Sequence, residues 1–255
     1  MSIEESLRGY IVPGLPLIQS GDDLASLIEE RFPLQDRDIL CIASTVVAKA
    51  EGRIKYLDDY RPTENAKKIG LALCKDPRFV QAVLDESEEV LLDEPFLLVV
   101  TKSGHICANA GIDQSNIGEG RVLLLPENPN DSAEKIKSKL DKDCAVIITD
   151  TCGRPFRCGV TGVALGCAGI ATIRDWRGQS DLFGRTLNIT VEAIADEIAA
   201  AANLLLGEAA DGTPVVIFRG FYYPRSGGCL FLPEDKDVIR RRLRGKGFIE
   251  SKASR

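Results

Sequence analysis

The sequence predicts an α+β fold, or a mixed α/β fold, rather than a regular doubly wound sheet. Short continuous apolar runs, which are typical of buried strands, alternate only loosely with segments of helical periodicity. Two runs, Leu97–Thr101 and Ile106–Asn109, flank Lys102-Ser103-Gly104-His105, which has the composition of a hairpin turn. A hairpin requires antiparallel pairing, so a purely parallel sheet is not expected.

Each predicted strand is a short apolar run without alternation, as in strands covered on both faces. These strands are Ile39–Ala43, Phe96–Val100, Val122–Leu125, Ala145–Thr149 and Pro214–Phe218. The clearest helix is Thr190–Leu206, because its apolar residues recur at 3.6-residue spacing and Gly207 follows as a stop. Further helices are predicted over Asp22–Arg31, Arg61–Cys74, Arg78–Leu84, Asp131–Leu140 and Asp235–Leu243.

Local signals refine these elements but place no domain boundary. Asp76-Pro77 separates two of the helices, and Ser132 is the expected N-cap of the helix over 131–140. The sequence contains neither an internal repeat nor a low-complexity linker. Residues 1–244 are therefore interpreted as a single domain, and residues 245–255 as a frayed tail.

Charge and hydropathy exclude two classes of partner. The 255 residues carry a net charge of −6, whereas nucleic-acid binders concentrate positive charge on one face. The dense basic run of Arg240, Arg241, Arg242 and Arg244 is interpreted as the solvated face of a terminal helix. No apolar stretch approaches the ~20 residues that span a bilayer, and Met1–Arg8 is polar, unlike a signal peptide. We therefore expect a cytoplasmic protein that binds neither nucleic acid nor membrane.

The cysteines do not indicate a zinc site. The 8 cysteines include no Cys-x-x-Cys pair, and His105 is the 1 histidine. Cys41, Cys107 and Cys144 lie within apolar runs, where a thiol behaves as a small hydrophobic group. In a reducing compartment we expect free thiols rather than disulfides.

Common catalytic and nucleotide-binding motifs are missing. The sequence has no Gly-x4-Gly-Lys-Ser/Thr loop, and Gly118-Glu119-Gly120 does not extend to a dinucleotide fingerprint. A Ser-His-Asp arrangement would need His105, which lies at a turn without a supporting motif. A nucleotide that binds here must therefore use a different scaffold.

The segment Ile148–Arg154 is the most informative for chemistry. The buried strand is expected to present Asp150 and Thr151 at its carboxyl end, with Gly153 directly after them. Carboxylate and hydroxyl oxygens suit Mg²⁺ or Mn²⁺, while Arg154 and Arg157 suit phosphate or carboxylate groups. The structural alternative is a capping aspartate before a turn.

Three further polar segments allow a functional and a structural interpretation. Asn109–Asn116 follows a strand and is either part of a cation site or a polar loop built from Asx turns. Gly207–Gly212 is either a ligand loop or a helix C-cap with a turn. Ser44–Lys49 offers hydroxyls and a lysine for phosphates, or is a capped helix with a solvated lysine.

Taken in order, several motifs resemble the coenzyme F420-0:L-glutamate ligases, the γ-glutamyl ligases of the archaeal F420 pathway. The resemblance extends from about Tyr10 to about Leu243. The motifs are Gly14-Leu15-Pro16-Leu17-Ile18, Ser44-Thr45-Val46-Val47-Ala48-Lys49-Ala50-Glu51-Gly52-Arg53, Asn109-Ala110-Gly111-Ile112-Asp113, Thr149-Asp150-Thr151-x-Gly153-Arg154, Asp196-Glu197-Ile198-Ala199-Ala200 and Asn203-Leu204-Leu205-x-Gly207-Glu208.

The resemblance implies roles for matching residues. Residues implied to contact GTP are Leu15, Pro16, Leu17, Ile18, Ser44, Thr45, Lys49, Asn116, Leu206, Gly207, Glu208, Ala209, Ala210, Asp211, Gly212 and Thr213. Asp113 and Asp150 are implied to hold one divalent cation, Mg²⁺ or Mn²⁺, and Thr151 and Glu208 a second; K⁺ is a further expected cation. Lys49 and Asp150 are assigned to catalysis, and Arg154 and Arg157 to anionic substrate groups.

The resemblance also implies an architecture and a reaction. The family fold is an unusual α+β architecture of two interleaved subdomains that forms an intertwined homodimer. The reaction joins L-glutamate to the terminal carboxylate of F420-0, and then adds further γ-linked glutamates. The carboxylate first takes the γ-phosphoryl group of GTP, and the amine of L-glutamate attacks the resulting acyl phosphate, releasing GDP and phosphate.

Two features depart from the family pattern, and two other functions remain open at this point. Cys152 and Cys158 lie beside the expected metal loop, where oxidation could affect the enzyme. Phe221–Phe231 either covers the flat deazaflavin ring or is a variable surface loop. One rival function is a related acyl-phosphate ligase for another acid or amino acid. The other is a non-catalytic nucleotide- or flavin-binding protein, which would not need Asp113, Asp150, Thr151 and Glu208 together.

Overall fold

The computed structural model describes residues 6–209 and 211–245, which form two compact units. One unit comprises the chain up to Ile54 together with Leu123–Leu230, and the other comprises Lys55–Val122 with the chain from Phe231 onwards. Apart from Gly245, the segment predicted to be a frayed tail lies outside the described residues, as does Ala210 among the expected GTP contacts.

The first unit is built on a five-stranded sheet with strand order β1-β12-β2-β8-β9. Its strands are β1 (Arg8–Ile11), β12 (Val215–Arg219), β2 (Ile39–Ala43), β8 (Ala145–Arg154) and β9 (Arg157–Ala168). Only β2 and β8 pair in parallel within this sheet; its other neighbours are antiparallel. The prediction of a mixed α/β or α+β fold rather than a regular doubly wound sheet is confirmed.

Helices cover both faces of this sheet, which is why its central strands are continuously apolar. One face packs against α1 (Leu24–Glu29), α2 (Ser44–Ala50) and α5 (Pro129–Lys139), with Leu40, Ile42, Val146 and Ile148 in that core. The other face packs against α6 (Ile194–Leu206), and Ile39, Cys41, Ala145 and Ile147 belong to that core. A short antiparallel pair, β10 (Arg174–Asp175) and β11 (Val191–Glu192), completes the unit.

The second unit contains the predicted hairpin within a three-stranded antiparallel sheet. Its strands are β4 (Ser87–Leu92), β5 (Leu98–Thr101) and β6 (Ile106–Ala108), in the order β4-β5-β6. The helices are α3 (Glu64–Leu73), α4 (Pro77–Asp85) and α7 (Val238–Leu243). β3 (Ile54–Tyr56) and β7 (Arg121–Leu123) form a separate two-stranded sheet, and 3₁₀ turns occur at Leu57–Asp59 and Asn109–Gly111.

Several predicted boundaries are wrong by a few residues, as is usual at element ends. The predicted strands Phe96–Val100, Val122–Leu125 and Pro214–Phe218 correspond to β5, β7 and β12 with shifted bounds. The helix predicted from Thr190 begins at Ile194, because Val191–Glu192 pairs as a strand. The expected N-cap Ser132 lies inside α5; Asn128 caps this helix, and Pro129 occupies its first turn.

The interpretation of the basic run as a solvated face is wrong for Arg240 and Arg244. Both guanidinium groups bond to Glu89 of β4, and their side chains are only 18% and 20% exposed. Hydrogen bonds from Arg244 and then Arg240 lower the pKa of Glu89 to about 2. The run therefore fixes α7 to the sheet of its own unit.

Candidate functional site

The parallel pairing of β2 with β8 brings two of the predicted ligand segments together. Ala43 is the register partner of Thr149, so both strands deliver the residues that follow to the same edge of the sheet. Helix α2 begins directly at Ser44, and Asp150 directly follows Thr149. Ser44, Thr45 and Asp150 are consequently neighbours at this edge.

Helix α2 agrees with only one part of the structural interpretation of Ser44–Lys49, and the phosphate role of this segment stays a prediction. The segment is a helix, but its N-cap position is Ala43, which makes no side-chain capping bond, and Ser44 is buried. Lys49 is half-buried rather than solvated. The structure therefore does not support a simple capped helix with a free surface lysine.

Asp150 and Thr151 do not lie after a strand, as the sequence predicted, but inside one. Strand β8 continues to Arg154 and forms a long hairpin with β9, in which Asp150 pairs with Val163 and Thr151 with Gly162. Successive side chains in a strand point to opposite faces. Asp150 therefore lies on the face covered by α1, α2 and α5, and Thr151 lies on the face covered by α6.

The sequence prediction failed here because β9 has no apolar run. Gly162 has no room for a side chain, since a Cβ atom would overlap the carbonyl oxygen of Ala199 in α6. Gly166 is similarly restricted by the backbone of Pro129 in α5. These glycines allow helix and strand backbones to approach closely. They also interrupt the run of apolar residues by which a buried strand is predicted.

Arg154 and Arg157 lie at the far end of this hairpin. They are register partners next to the Pro155-Phe156 turn, and both are exposed. At about 3.3 Å per residue, Arg154 is roughly 10 Å along the strand from Thr151. Their assignment to anionic substrate groups stays a prediction.

The segment after α6 places Glu208 beside the end of that helix. Gly207 is the C-cap with φ of 75°, as the structural interpretation of this segment predicted. The Asn203 side-chain amide donates a hydrogen bond to Glu208 Oε1 at 2.8 Å. Thr213 Oγ1 donates to the carbonyl oxygens of Leu205 and Leu206, which ties the returning chain to the helix end.

Asp113 and Asn116 belong to the second unit and lie in a tight polar loop. Asp113 accepts hydrogen bonds from Ser115 N at 2.8 Å and Ser115 Oγ at 2.6 Å, which is an Asx turn. Asn116 has a φ of 53°, in the left-handed region. The turn chemistry expected of a polar loop is present, and the cation and GTP roles of these residues stay predictions.

The segment Leu15–Ile18 lies between β1 and α1 and is mixed in burial. Ile18 belongs to the hydrophobic core, Leu15 packs against it, and Leu17 is 91% exposed. The Ile18 side chain therefore has a packing role, and the side chains that remain accessible in this segment are those of Leu15, Pro16 and Leu17.

The donor atoms fit the cations that the resemblance implies. Asp150, Thr151 and Glu208 are partly or fully exposed and offer only carboxylate and hydroxyl oxygens, which hard divalent cations prefer. Within 6–209 and 211–245, no three His, Cys, Asp or Glu side chains are grouped so that they could hold a metal. The predicted cation sites are smaller than such a group: one has two carboxylates, Asp113 and Asp150, and the other has one, Glu208, with the Thr151 hydroxyl. The absence of a group of three therefore does not test them.

Two other predictions about this unit can be refined. Burial first, and then the charges of Asp150 and Asp196, raise the pKa of the Cys152 thiol, which lowers the reactive thiolate fraction.

Tyr223 is 1% exposed and belongs to the core, so Phe221–Phe231 is not simply a surface loop. Arg37 lies between the rings of Tyr222 and Tyr223, 4.7 and 4.9 Å from their centroids.

Two residues that connect these segments received no role from the sequence. Asp196 accepts a hydrogen bond from Ala164 N in β9 at 2.9 Å, and Asn203 bonds Glu208. The available signal was their seven-residue spacing, which puts two polar side chains on one face of a helix whose other residues, apart from Glu197, are apolar.

Among the residues that the structure describes, no helix has both the length and the apolar character needed to cross a membrane.

The family model described as F420-0:Gamma-glutamyl ligase matches residues 14–220. A coenzyme F420:L-glutamate ligase of Archaeoglobus fulgidus is 53% identical over 241 residues, covering 92% of this chain and 97% of the relative. Proteins of the same name from Halobacterium salinarum and Methanosarcina mazei are 50% and 53% identical, over 95% and 91% of this chain and 99% and 95% of theirs.

Proposed function

We propose that this chain, which belongs to the F420-0:gamma-glutamyl ligase family, joins L-glutamate to the terminal carboxylate of coenzyme F420-0 in a GTP-dependent reaction. The family model and the similar ligases confirm the resemblance inferred from the sequence. They also confirm the enzyme class, a ligase that forms carbon–nitrogen bonds. The substrates, the nucleotide and the intermediate are the proposal. We further propose that the protein lies in the cytoplasm.

One structural observation carries the proposal: the parallel β2–β8 pair. It places the hydroxyl-bearing start of α2 beside Asp150, in the register Ala43 with Thr149. A phosphoryl-transfer site needs polar groups for the phosphates and hard oxygen ligands for cations in one place. The start of α2, directly after β2, and the middle of β8 supply both at this place in the sheet.

The proposed reaction has two steps. The carboxylate of F420-0 attacks the γ-phosphorus of GTP; the bond to the bridging oxygen breaks, and GDP leaves. The amine of L-glutamate then attacks the acyl-phosphate carbon, loses a proton and expels phosphate, leaving an amide. Repetition on the new side-chain carboxylate gives γ-linked glutamates.

Each predicted residue has a physical task in this scheme. Ser44, Thr45 and Lys49 hold phosphate oxygens, together with the backbone near Leu15–Ile18 and the segment from Leu206 to Thr213. Asp150 with Asp113, and Thr151 with Glu208, hold the divalent cations, while K⁺ remains a further proposed cation. Bound Mg²⁺ or Mn²⁺ neutralises the charge that develops during phosphoryl transfer. Arg154 and Arg157 are proposed to attract anionic groups of the substrate.

We also propose that the two units correspond to the interleaved subdomains of the family and that a second copy of the chain completes a homodimer. In the first unit, Phe156, Leu182, Phe183, Ile189 and Leu204 are each between 86% and 102% exposed. Among them, Leu182 and Phe183 are adjacent in the chain, and exposed apolar side chains that lie together favour a protein interface. Light scattering coupled to size-exclusion chromatography measures the assembly directly.

The reaction is tested with purified protein, F420-0, L-glutamate, GTP and Mn²⁺, with products identified by mass. We expect mass increments of one or more glutamyl units that require both GTP and the metal. No increment with GTP still bound would indicate a ligase for another acid or amino acid. Failure to bind any nucleotide would contradict the proposed mechanism.

Asp150→Asn tests the assignment of the site. The amide is similar in size but is a weaker cation ligand, so we expect nucleotide turnover to fall by at least about a hundredfold, in line with losing one strong electrostatic contact in a phosphoryl-transfer site. Nucleotide binding is expected to persist. Unchanged turnover would remove Asp150 from the site.

A further inference from the structure

We propose that one face of α6, formed by Asp196, Ala199 and Asn203, is the frame that holds Thr151 and Glu208 in place. Asp196 and Asn203 are thus positioning residues for the second divalent cation. This inference rests on the proposed function, which assigns Thr151 and Glu208 to that cation.

The three residues share a face because they are three and four positions apart along a helix. At the middle position the helix touches β9 without an intervening side chain. A Cβ on Gly162 would overlap the Ala199 carbonyl oxygen and lie 3.0 Å from Asn203 Cβ. Gly162 is the cross-strand partner of Thr151, so the helix backbone fixes the strand directly opposite this hydroxyl.

Asp196 fixes the register of the same strand pair. A β-bulge lies where the pairing steps from Ile148–Gly166 to Thr149–Ala164, so Leu165 has no partner of its own. Asp196 Oδ1 accepts the hydrogen bond of Ala164 N at 2.9 Å, at the first pair beyond the bulge. The pairs from Asp150–Val163 to Gly153–Val160, including Thr151–Gly162, depend on that register.

The bulge also decides which side chains of β9 meet α6. Ala164 packs in the core on the α6 side, whereas Leu165 packs in the opposite core. Without the bulge the register would shift by one residue, and Val163 would replace Gly162 opposite Thr151. A valine side chain could not fit against the Ala199 carbonyl. Asp196, the bulge and Gly162 therefore specify one arrangement together.

Asn203 extends the frame to the other proposed ligand. Its amide nitrogen donates to Glu208 Oε1 at 2.8 Å, which leaves Oε2 available for a cation. Hydrogen bonds from a second group commonly orient the carboxylates that bind metals, and losing such a bond typically costs about 10–100-fold in metal affinity. An amide donor suits this role because it adds no competing charge.

A merely structural role for Asn203 and the positioning role make different predictions. The matched control is Asn130 of α5, whose Oδ1 accepts the hydrogen bond of Cys167 N in the same strand at 3.0 Å. Asn130 clamps β9 from the other helix and is not among the proposed ligands. Asn203→Ala and Asn130→Ala each remove one side-chain amide from a helix that packs on β9.

The test measures Mn²⁺ binding to the GTP-loaded protein by paramagnetic resonance of the free ion, alongside the Mn²⁺ dependence of glutamyl transfer. We expect Asn203→Ala to weaken the second Mn²⁺ by about tenfold and Asn130→Ala to change it by less than about twofold. Asp196→Ala is expected to weaken it as well, and Asp196→Asn, which retains an acceptor oxygen for Ala164 N, to restore part of the loss.

The outcomes separate this inference from the proposed function. Wild-type protein that binds two Mn²⁺ ions and transfers glutamate, with Asn203→Ala unchanged, would overturn the positioning role alone. Equal weakening by Asn203→Ala and Asn130→Ala would show a general structural effect and overturn it too. Wild-type protein that binds no Mn²⁺ in the presence of GTP would overturn the cation assignment and this inference with it.

Discussion

The base and the tip of the β8–β9 hairpin are parts of the same two strands, yet they are held in place differently. At the base, Ile147 and Ile148 are fully buried between helices on both faces. At the tip, Phe156 is 102% exposed and Val160 is 54% exposed. The candidate ligands Asp150 and Thr151 lie at the transition. A ligand site on a strand requires both features: the packed base holds the side chains rigidly, and the exposed tip leaves room for a ligand to reach them.

The largest expected effect comes from adding one methyl group at Gly162, opposite Thr151, where α6 still covers the hairpin. Gly162→Ala would drive a Cβ into the Ala199 carbonyl, a backbone group that cannot rotate away, and should lower the free energy of unfolding by about 3 kcal/mol. Gly153→Ala is the matched control near the tip, where no atom lies within 4 Å of the added carbon. Denaturant titration should show the control within about 0.5 kcal/mol of wild type. Equal effects would contradict the distinction between the part of the hairpin that helices cover and its tip.

A second prediction concerns the tip. Phe156 has a φ of 66°, a conformation that asparagine tolerates better than phenylalanine. Phe156→Asn should therefore leave monomer unfolding unchanged while weakening the proposed homodimer by about 2 kcal/mol, or roughly thirtyfold. Sedimentation equilibrium measures the dimer constant. An unaltered constant would mean that the second copy does not cover the tip.

The smallest expected effect is a change in thiol chemistry at the transition. Burial, and then the charges of Asp150 and Asp196, raise the pKa of Cys152 above its ordinary value, so its thiolate is scarce at neutral pH. Removing the nearby negative charge in Asp150→Asn should lower this pKa and speed alkylation of Cys152 at pH 8. Peptide mass spectrometry gives the rate for each cysteine, with Cys229 as the exposed internal reference. An unchanged rate would show that the charge of Asp150 does not act on the thiol.

Much of the sheet was predictable because its central strands have a strong local signal. Ile39–Ala43 is a continuous apolar run, and the structure confirms it to the residue. β9 was not predictable, because its three glycines interrupt the apolar residues and the covering helices are distant in sequence. The same cause misplaced Asp150 and Thr151, since a strand that appears to end at Thr149 continues only because β9 pairs with it.

The candidate site shows the same division. The residue types of Asp150, Thr151 and Glu208 are visible in the sequence, and the order of motifs indicated the family that the comparisons confirm. The roles of Asp196 and Asn203 were not visible, because each depends on a single bond to a residue brought near by folding. Even a correct secondary structure would not have revealed them.

The sequence by itself determined the chemistry available to this protein and the family to which it belongs, because residue types and their order are one-dimensional properties. Only the tertiary structure decided that Ser44 and Asp150 share a sheet edge, that Thr151 faces α6, and that Asn203 orients Glu208. The physical reason is that strand register, helix approach at Gly162 and side-chain hydrogen bonds join residues far apart in the chain, and no local pattern encodes those distances.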